Sequence, residues 1–313
     1  MSSTDADTAG RVDDLLRGAW VLAALARAAD TGDPLDPELG AALAAAGFAE
    51  QAEGAWRLLP EYRALSRGRG AGGAGLSGRI GRMLRWAADA AEGLPAPTGS
   101  HSDAELREEG DESGRRFAAL LDALAGADSG LRELLASPGL RFLDIGTGTA
   151  AIAATVAVRV PGSSAVGLDR DPHVLGLAAE RIASGGLGGR VRVQCADAAG
   201  IAGSAEYDLA WLPLAVLEPE AALEALPRLR AALRPGGTLI AATVLQDGTA
   251  AQRDPLGQAL ARWRMARAGI TTWTPEEAAQ RLRDAGFTGV RRPEAADQPV
   301  AAVLARAPEH TPP

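Results

Sequence analysis

The stretch Arg141-Phe-Leu-Asp-Ile-Gly-Thr-Gly-Thr-Ala-Ala151 constrains this chain more than any other. Phe142, Leu143 and Ile145 make an apolar run short enough for a strand covered on both faces. Gly146 and Gly148 then permit a sharp backbone turn and, lacking Cβ, let a ligand lie against it. The alanine-rich segment from Ala150 to Val158 supplies a helix whose first N–H groups open on the same space. A strand, a glycine turn and a helix in this order form a cradle for a nucleotide. Which nucleotide has to come from the rest of the chain.

From Leu140 onward the pattern alternates between strand and helix, which marks a parallel sheet. Strands are predicted at 164–169, 190–195, 207–212 and 238–245, the last after the turn Arg234-Pro-Gly-Gly237. Helices are predicted at 172–183, 219–233, 254–268 and 274–285. Two closing strands, 287–292 and 299–305, have no helix between them. So short a link makes them a hairpin, so one of them runs against the rest. The fold class is therefore α/β, with a Rossmann-like, mostly parallel seven-stranded sheet and an antiparallel closing strand.

The first hundred residues read differently. A polar start, 1–10, is expected to be disordered. Apolar residues then recur at helical spacing (Val12, Leu15, Leu16, Ala19, Leu22, Ala23, Ala26). Asp36-Pro37 opens a second helix, which Gly47 ends. Residues 48–59 form a two-stranded ribbon turning at Glu53-Gly54, and 60–66 a short helix. Residues 68–81, rich in Gly and Arg, read as a flexible linker. The next helix, 79–92, is expected to expose Arg82 and Arg85 and to turn Met83, Leu84 and Trp86 inward. A long helix over 103–125 carries Leu106, Phe117, Leu120, Leu121 and Leu124 on one side. The expected organisation is residues 1–100 as a helical, winged-helix-like dimerisation and cap region, 101–139 as a helical connector, and 140–309 as the nucleotide-binding domain. Helix, helix, ribbon and short helix in that order resemble the winged-helix module of many small-molecule O-methyltransferases, which implies a homodimer and a cover for the substrate pocket.

A net charge of −8 argues against a nucleic-acid partner, because phosphate binding needs a basic face. No apolar run reaches the length of a membrane span, and the first residues lack the basic and apolar pattern of a secretion signal. A cytoplasmic protein is expected. Cys195 is the only cysteine, the histidines are scattered, and no carboxylates have ligand spacing, so no metal is expected.

Three acids bear on the nucleotide. Asp169 ends the second strand of the alternation, where a carboxylate can accept from ribose hydroxyls; the other reading is a helix-start or loop acid. Asp197 follows the third strand, where it can accept from an adenine amino group while the N–H of Ala198 serves a ring nitrogen; the other reading is a turn residue. Asp144 sits two residues before the first glycine. A pyrophosphate repels a carboxylate there, whereas the ammonium and sulfonium of S-adenosylmethionine attract one. Taken together, 142–149, 165–169, 193–197, 207–212 and 233–239 resemble the ordered motifs of class I S-adenosylmethionine-dependent methyltransferases. The resemblance spans roughly 141–306 and departs from the family at Ala150, where a third glycine is usual. It implies S-adenosylmethionine as cofactor, with Asp144, Gly146, Thr147, Gly148, Asp169, Arg170, Asp197, Ala198 and Trp211 around it.

Methyl transfer is an in-line displacement that chiefly needs alignment and exclusion of water; a base is optional. His101 in the connector and Asp247 past the fifth strand are the weak candidates for one. His173 reads as solvated, His310 lies in the tail, and Asp208 stands at the wrong end of its strand, so it reads as structural. Trp211 ends the fourth strand, where substrate or the methionine end would lie, or where it packs on a helix. Trp263 and Trp273 either wall an aromatic pocket beside Arg264 or pack helices. The Asn/Asp-Pro-Pro-aromatic tetrad of adenine-, cytosine- and glutamine-amide methyltransferases is absent. The expected function is methyl transfer to a small molecule, in bacterial secondary metabolism. The alternatives are a same-fold enzyme using the cofactor for aminocarboxypropyl transfer or cyclisation, and a non-catalytic cofactor-binding regulator.

Overall fold

The computed structural model describes residues 3–67, 76–96, 102–270, 272–293, 298 and 300–309. The chain divides into two units, Met1–Ser100 and His101–Pro313.

The first unit opens with α1 (Ser3–Thr31). The expected disordered start is helical from Ser3; Ser, Thr and Asp are weak helix formers, so this first stretch extends a helix carried by the alanine- and leucine-rich run from Val12 onward, which no proline interrupts. In α2 (Pro37–Ala45) the Asp36 carboxylate accepts from the N–H groups of Glu38 and Leu39, with Pro37 in the first turn. Strands β1 (Ala49–Ala52) and β2 (Ala55–Leu58) pair antiparallel across Glu53 (φ 52°) and Gly54 (φ 77°), the two positive dihedrals that a tight hairpin requires. Helices α3 (Pro60–Arg67) and α4 (Leu76–Ala91) complete the unit. Helix α4 begins earlier than its spacing predicts, inside the Gly/Arg-rich stretch; residues 68–75 of that stretch lie outside the described residues. Arg82, expected on the surface, is only 8% exposed. Its aliphatic stem can be buried while the guanidinium stacks 5.9 Å from the ring centre of Trp86, one turn on. Leu25, Leu43, Leu58 and Ile80 form the small core. One side of α1 keeps Val12, Leu15, Leu16 and Trp20 exposed.

The second unit begins with α5 (Asp103–Ala127), opened by a reciprocal cap in which Ser102 and Glu105 serve each other's backbone N–H. Short α6 (Ser129–Ala136) follows. Then come β3 (Arg141–Ile145), α7 (Ala151–Arg159), β4 (Ser164–Asp169), α8 (Pro172–Ser184), β5 (Val191–Cys195), β6 (Tyr207–Pro213), α9 (Pro219–Ala232) and β7 (Leu233–Thr243). The short α10 (Gly248–Arg253) is not among the predicted helices; the helix predicted over 254–268 is α11 (Pro255–Arg267), capped by Asp254 through the N–H of Gly257. Finally come α12 (Pro275–Asp284), β8 (Thr288–Arg291) and β9 (Ala301–Arg306).

The seven strands stand in the order β5-β4-β3-β6-β7-β9-β8. The first five are mutually parallel, and β9 runs antiparallel to both β7 and β8, as the short closing link requires. Side chains alternate between two apolar layers. Leu143, Ile145, Val166 and Leu168 face the layer shared with α9 and α12. Phe142, Ala165, Leu209 and Trp211 face the layer shared with α5, α7 and α8. Because β3 and β6 are neighbours although β4 and β5 intervene in sequence, the chain reverses its winding direction beside β3. A crevice at the carboxyl ends of the strands belongs at such a reversal.

Candidate ligand site at the carboxyl ends of the strands

The turn after β3 is built as its residue types demand. Gly146 (φ 64°) and Gly148 (φ 54°) both take left-handed conformations. A Cβ on Gly146 would stand 3.1 Å from Val216, on the segment after β6. The third left-handed position is Ala150 (φ 58°), the residue that departs from the glycine pattern. Its methyl is fully buried in the layer beneath α5 and α7, and this packing offsets the steric penalty of ~1–2 kcal/mol for a side chain in that conformation.

Asp144 is completely buried on the face toward α7. Its Oδ2 accepts from the Thr147 hydroxyl at 2.7 Å and from the Ala153 N–H at 3.2 Å. Its Oδ1 has no hydrogen-bond partner among the described residues. Burial pushes the carboxyl up to about 7; the bonds from Thr147 and Ala153 pull the other way, and the nearby Asp169 charge adds to the rise. Thr147 fits because the residue beneath it is Gly167, on β4 opposite Asp144. A Cβ at Gly167 would come within 2.5 Å of the Thr147 hydroxyl oxygen.

Asp169 ends β4 and reaches the same turn. Its Oδ2 accepts from the Gly148 N–H at 2.8 Å and its Oδ1 from the Asp171 N–H at 3.0 Å. Each oxygen keeps acceptor capacity for a hydroxyl. Asp197 lies two residues beyond Cys195, the β5 partner of Asp169, and is exposed at the start of a single 3-10 turn over Ala198–Gly200. The three acids thus stand at the ends of three adjacent strands. Ala198 turns into the core, so what it can offer a ligand is its backbone. Arg170 is exposed and pairs with Glu218 at 3.5 Å.

Trp211 is 6% exposed on β6, edge-on to Phe117 of α5 with ring centres 5.0 Å apart. Its indole Nε1 is buried and has no partner among the described residues.

The remaining candidates lie elsewhere. His101 and His310 fall outside the described residues. His173 is exposed, its Nε2 2.9 Å from Asp103. Asp247 is ion-paired with Arg292, which occupies the carboxylate proposed as a weak base. Asp208 is structural, accepting from the Arg141 N–H at 2.8 Å and from Arg234 at 2.7 Å. Trp273 is buried among Ala278, Ala279 and Leu282, beneath the Arg281 guanidinium 4.5 Å from its ring centre. Trp263 is 52% exposed with Arg267 stacked at 5.7 Å. The first of these is a packing residue; neither is tied by a described contact to the turn after β3.

Two contributors escaped the sequence reading. Gly167 had a signal, since a glycine inside a strand marks a close approach. Arg181 of α8 had none. Its guanidinium donates to the Thr149 carbonyl (2.8 Å) and hydroxyl (3.3 Å), to Asp111 (2.6 Å) and to the Arg107 carbonyl (3.3 Å), tying the turn to α5.

A family model described as a methyltransferase domain matches residues 142–237. The release factor glutamine methyltransferase of Cereibacter sphaeroides is 34% identical over 155 residues, 47% of this chain and 56% of that protein, so the chain spans little more than half the length of this curated relative. Among solved structures, an O-methyltransferase family protein from Burkholderia thailandensis aligns over 99% of this chain and 100% of its own, with a TM-score of 0.74 and 17% identity. Human N-acetylserotonin methyltransferase, solved in complex with S-adenosylmethionine, aligns over 98% and 100%, with a TM-score of 0.68 and 19% identity. At these identities the likeness shows the fold, which is that of class I S-adenosylmethionine-dependent methyltransferases.

Proposed function

We propose that this chain binds S-adenosylmethionine at the carboxyl ends of β3, β4 and β5 and transfers its methyl group to a small-molecule acceptor. The observation that carries the reading is Asp144. A buried carboxylate with one oxygen unsatisfied, directly under a glycine turn, is a poor neighbour for a pyrophosphate and a good one for a cation. In this reading Asp144 faces the methionine end, Gly146 and Gly148 let it approach, Asp169 takes the ribose, and Asp197 with the Ala198 backbone takes the adenine.

When bound, the sulfonium supplies an electrophilic methyl carbon. The chain's own part is orientation. Asp169 and Thr147 hold the turn in place through backbone and hydroxyl contacts already made, so little reorganisation accompanies binding. With Asp247 engaged by Arg292, no described side chain is assigned as a base, and the acceptor supplies its own nucleophile. The end of β6 reads Trp211-Leu-Pro-Leu-Ala215 and carries no amide side chain, so the amide acceptor named for the Cereibacter relative is not carried over. The exposed apolar side of α1 is the surface proposed for a homodimer, and a cytoplasmic role in secondary metabolism is the accompanying biological reading.

Calorimetric titration tests the cofactor. S-adenosylhomocysteine should bind and NAD should not. Asp169→Ala should weaken S-adenosylhomocysteine by ~1.5–3 kcal/mol through loss of charge-assisted hydrogen bonds. A negligible change would remove the ribose assignment. Product analysis tests the reaction: S-adenosylhomocysteine signals methyl transfer, methylthioadenosine signals transfer of the aminocarboxypropyl arm, and neither signals a binding protein.

A further inference from the structure

Two buried polar atoms on the same small patch of sheet have no partner among the described residues. Asp144 pairs with Gly167 on one side and with Trp211 on the other, so the three form a row across β4, β3 and β6. Residues opposite each other in a ladder point to one face, here the face toward α5 and α7. On the Gly167 side the row is filled by Thr147, and Asp144 spends Oδ2 on Thr147 and Ala153. Among the described residues Oδ1 of Asp144 and Nε1 of Trp211 remain without partners, and they do not bond each other. The indole is not free to turn away, since its ring stands edge-on to Phe117 at 77° and Phe117 in turn packs 6.0 Å from Phe142. One side chain lacks a donor and its cross-strand neighbour lacks an acceptor. A ligand that answers both carries a donor cation and an acceptor anion close together, as the ammonium and carboxylate on the one α-carbon of an amino acid zwitterion do.

We infer that the Trp211 indole N–H is the donor for the carboxylate at the amino-acid end of the adenosyl ligand, beside the ammonium on Oδ1 of Asp144. The inference rests on the cofactor reading above and deepens it by making Trp211 a specificity-determining residue that selects ligands retaining a carboxylate. Trp211→Phe removes the N–H and keeps an aromatic ring against Phe117.

The test compares three ligands by calorimetry on the full chain, wild type and Trp211→Phe: S-adenosylhomocysteine, its decarboxylated analogue, and methylthioadenosine, which lacks the whole amino-acid end. The wild type should favour S-adenosylhomocysteine over the decarboxylated analogue by roughly 10- to 100-fold, the range of a charge-assisted bond. Trp211→Phe should erase that preference and leave methylthioadenosine affinity unchanged, the latter also showing that the variant is folded. A preference that survives the substitution overturns the inference and leaves the unpaired atoms to an ordered water. Equal weakening of all three ligands overturns it in favour of a packing role. A wild type that binds none of the three overturns the cofactor reading itself, and this inference with it.

Discussion

Replacing Asp144 by Asn should make the ligand-free protein more stable at pH 8 and weaken its hold on a cationic ligand. The carboxyl ionises near pH 4 in the unfolded chain and near pH 7 in the fold. The folded pKa is the higher one, so between those values the folded state holds the extra proton. Its stabilising share is complete at low pH, declines as pH rises from about 4 to about 7, and is gone above that. A rise of roughly three units corresponds to about 4 kcal/mol lost between pH 4 and pH 8. Asparagine is neutral throughout. Its oxygen can take over the bonds from Thr147 and Ala153, and its NH2 would fall where Oδ1 lacks a partner, a defect of about 1–3 kcal/mol at every pH. Wild type has already lost about 1–2 kcal/mol of that share by pH 5, so the variant should stand within about 1 kcal/mol of wild type there and be more stable by about 1–3 kcal/mol at pH 8, the loss of about 4 kcal/mol less the defect. Urea denaturation without ligand at the two pH values measures it. Equal wild-type and variant differences at pH 5 and pH 8 would refute the argument, because Asp144 would then not carry the buried charge. The ligand side follows from the same linkage. A cation favours the ionised form, so wild-type affinity for S-adenosylmethionine should rise as pH passes from 6 to 8, and the variant should lose that dependence.

Two further substitutions probe the support of the turn and the proposed dimer. Gly167→Ala sets a methyl within 2.5 Å of the Thr147 hydroxyl and should displace it from Asp144, lowering stability by about 1–3 kcal/mol and S-adenosylhomocysteine affinity with it; thermal melting and titration report both, and an unchanged melting temperature would mean that the turn yields freely. Trp20→Glu places a charge on the exposed apolar side of α1, where Trp20 is 79% exposed, and should convert a dimer to a monomer in sedimentation without loss of helix content; a wild-type monomer, or a variant dimer, would remove this surface from the proposal.

The sheet was legible because it is written in backbone-level signals. Apolar runs, Gly146 and Gly148, and the missing helix between the two closing strands each limit what the chain can do locally, and they give the strands and the antiparallel close; the order β5-β4-β3-β6-β7-β9-β8, with β3 beside β6, rests on long-range pairing that these signals do not encode. The acids were legible for the same reason, since a strand end fixes where Asp169 and Asp197 emerge. What a side chain's character alone left open was its role. Trp273 could wall a pocket or pack a helix, and the structure buries it in packing; Asp247, a weak candidate for a base, is ion-paired with Arg292, 45 residues away in sequence. Arg82 looked exposed because it is charged, yet its stem is long enough to be buried with the charge over Trp86. Such outcomes depend on partners that are distant in sequence or on how far a side chain can reach, and periodicity encodes neither. The four bonds of Arg181 belong to the same class.

The turn after β3 is held at both ends by carboxylates that the proposed ligand would also use. Asp169 accepts from Gly148 and Asp144 accepts from Thr147, so the same two side chains that would bind the ligand also fix the backbone that must admit it. This double use explains why Ala150 is tolerated where glycine is usual. The left-handed conformation is imposed from outside, by Asp169 on one flank, by the Ala153 bond to Asp144 on the other, and by Arg181 on Thr149. An intrinsic preference of ~1–2 kcal/mol against that conformation is small beside three such restraints and a fully buried methyl. It follows that ligand affinity and the stability of this turn are coupled quantities. A substitution that loosens the turn will weaken binding without touching the ligand, and only a variant such as Asp144→Asn, whose stability and affinity move in opposite directions, separates the two.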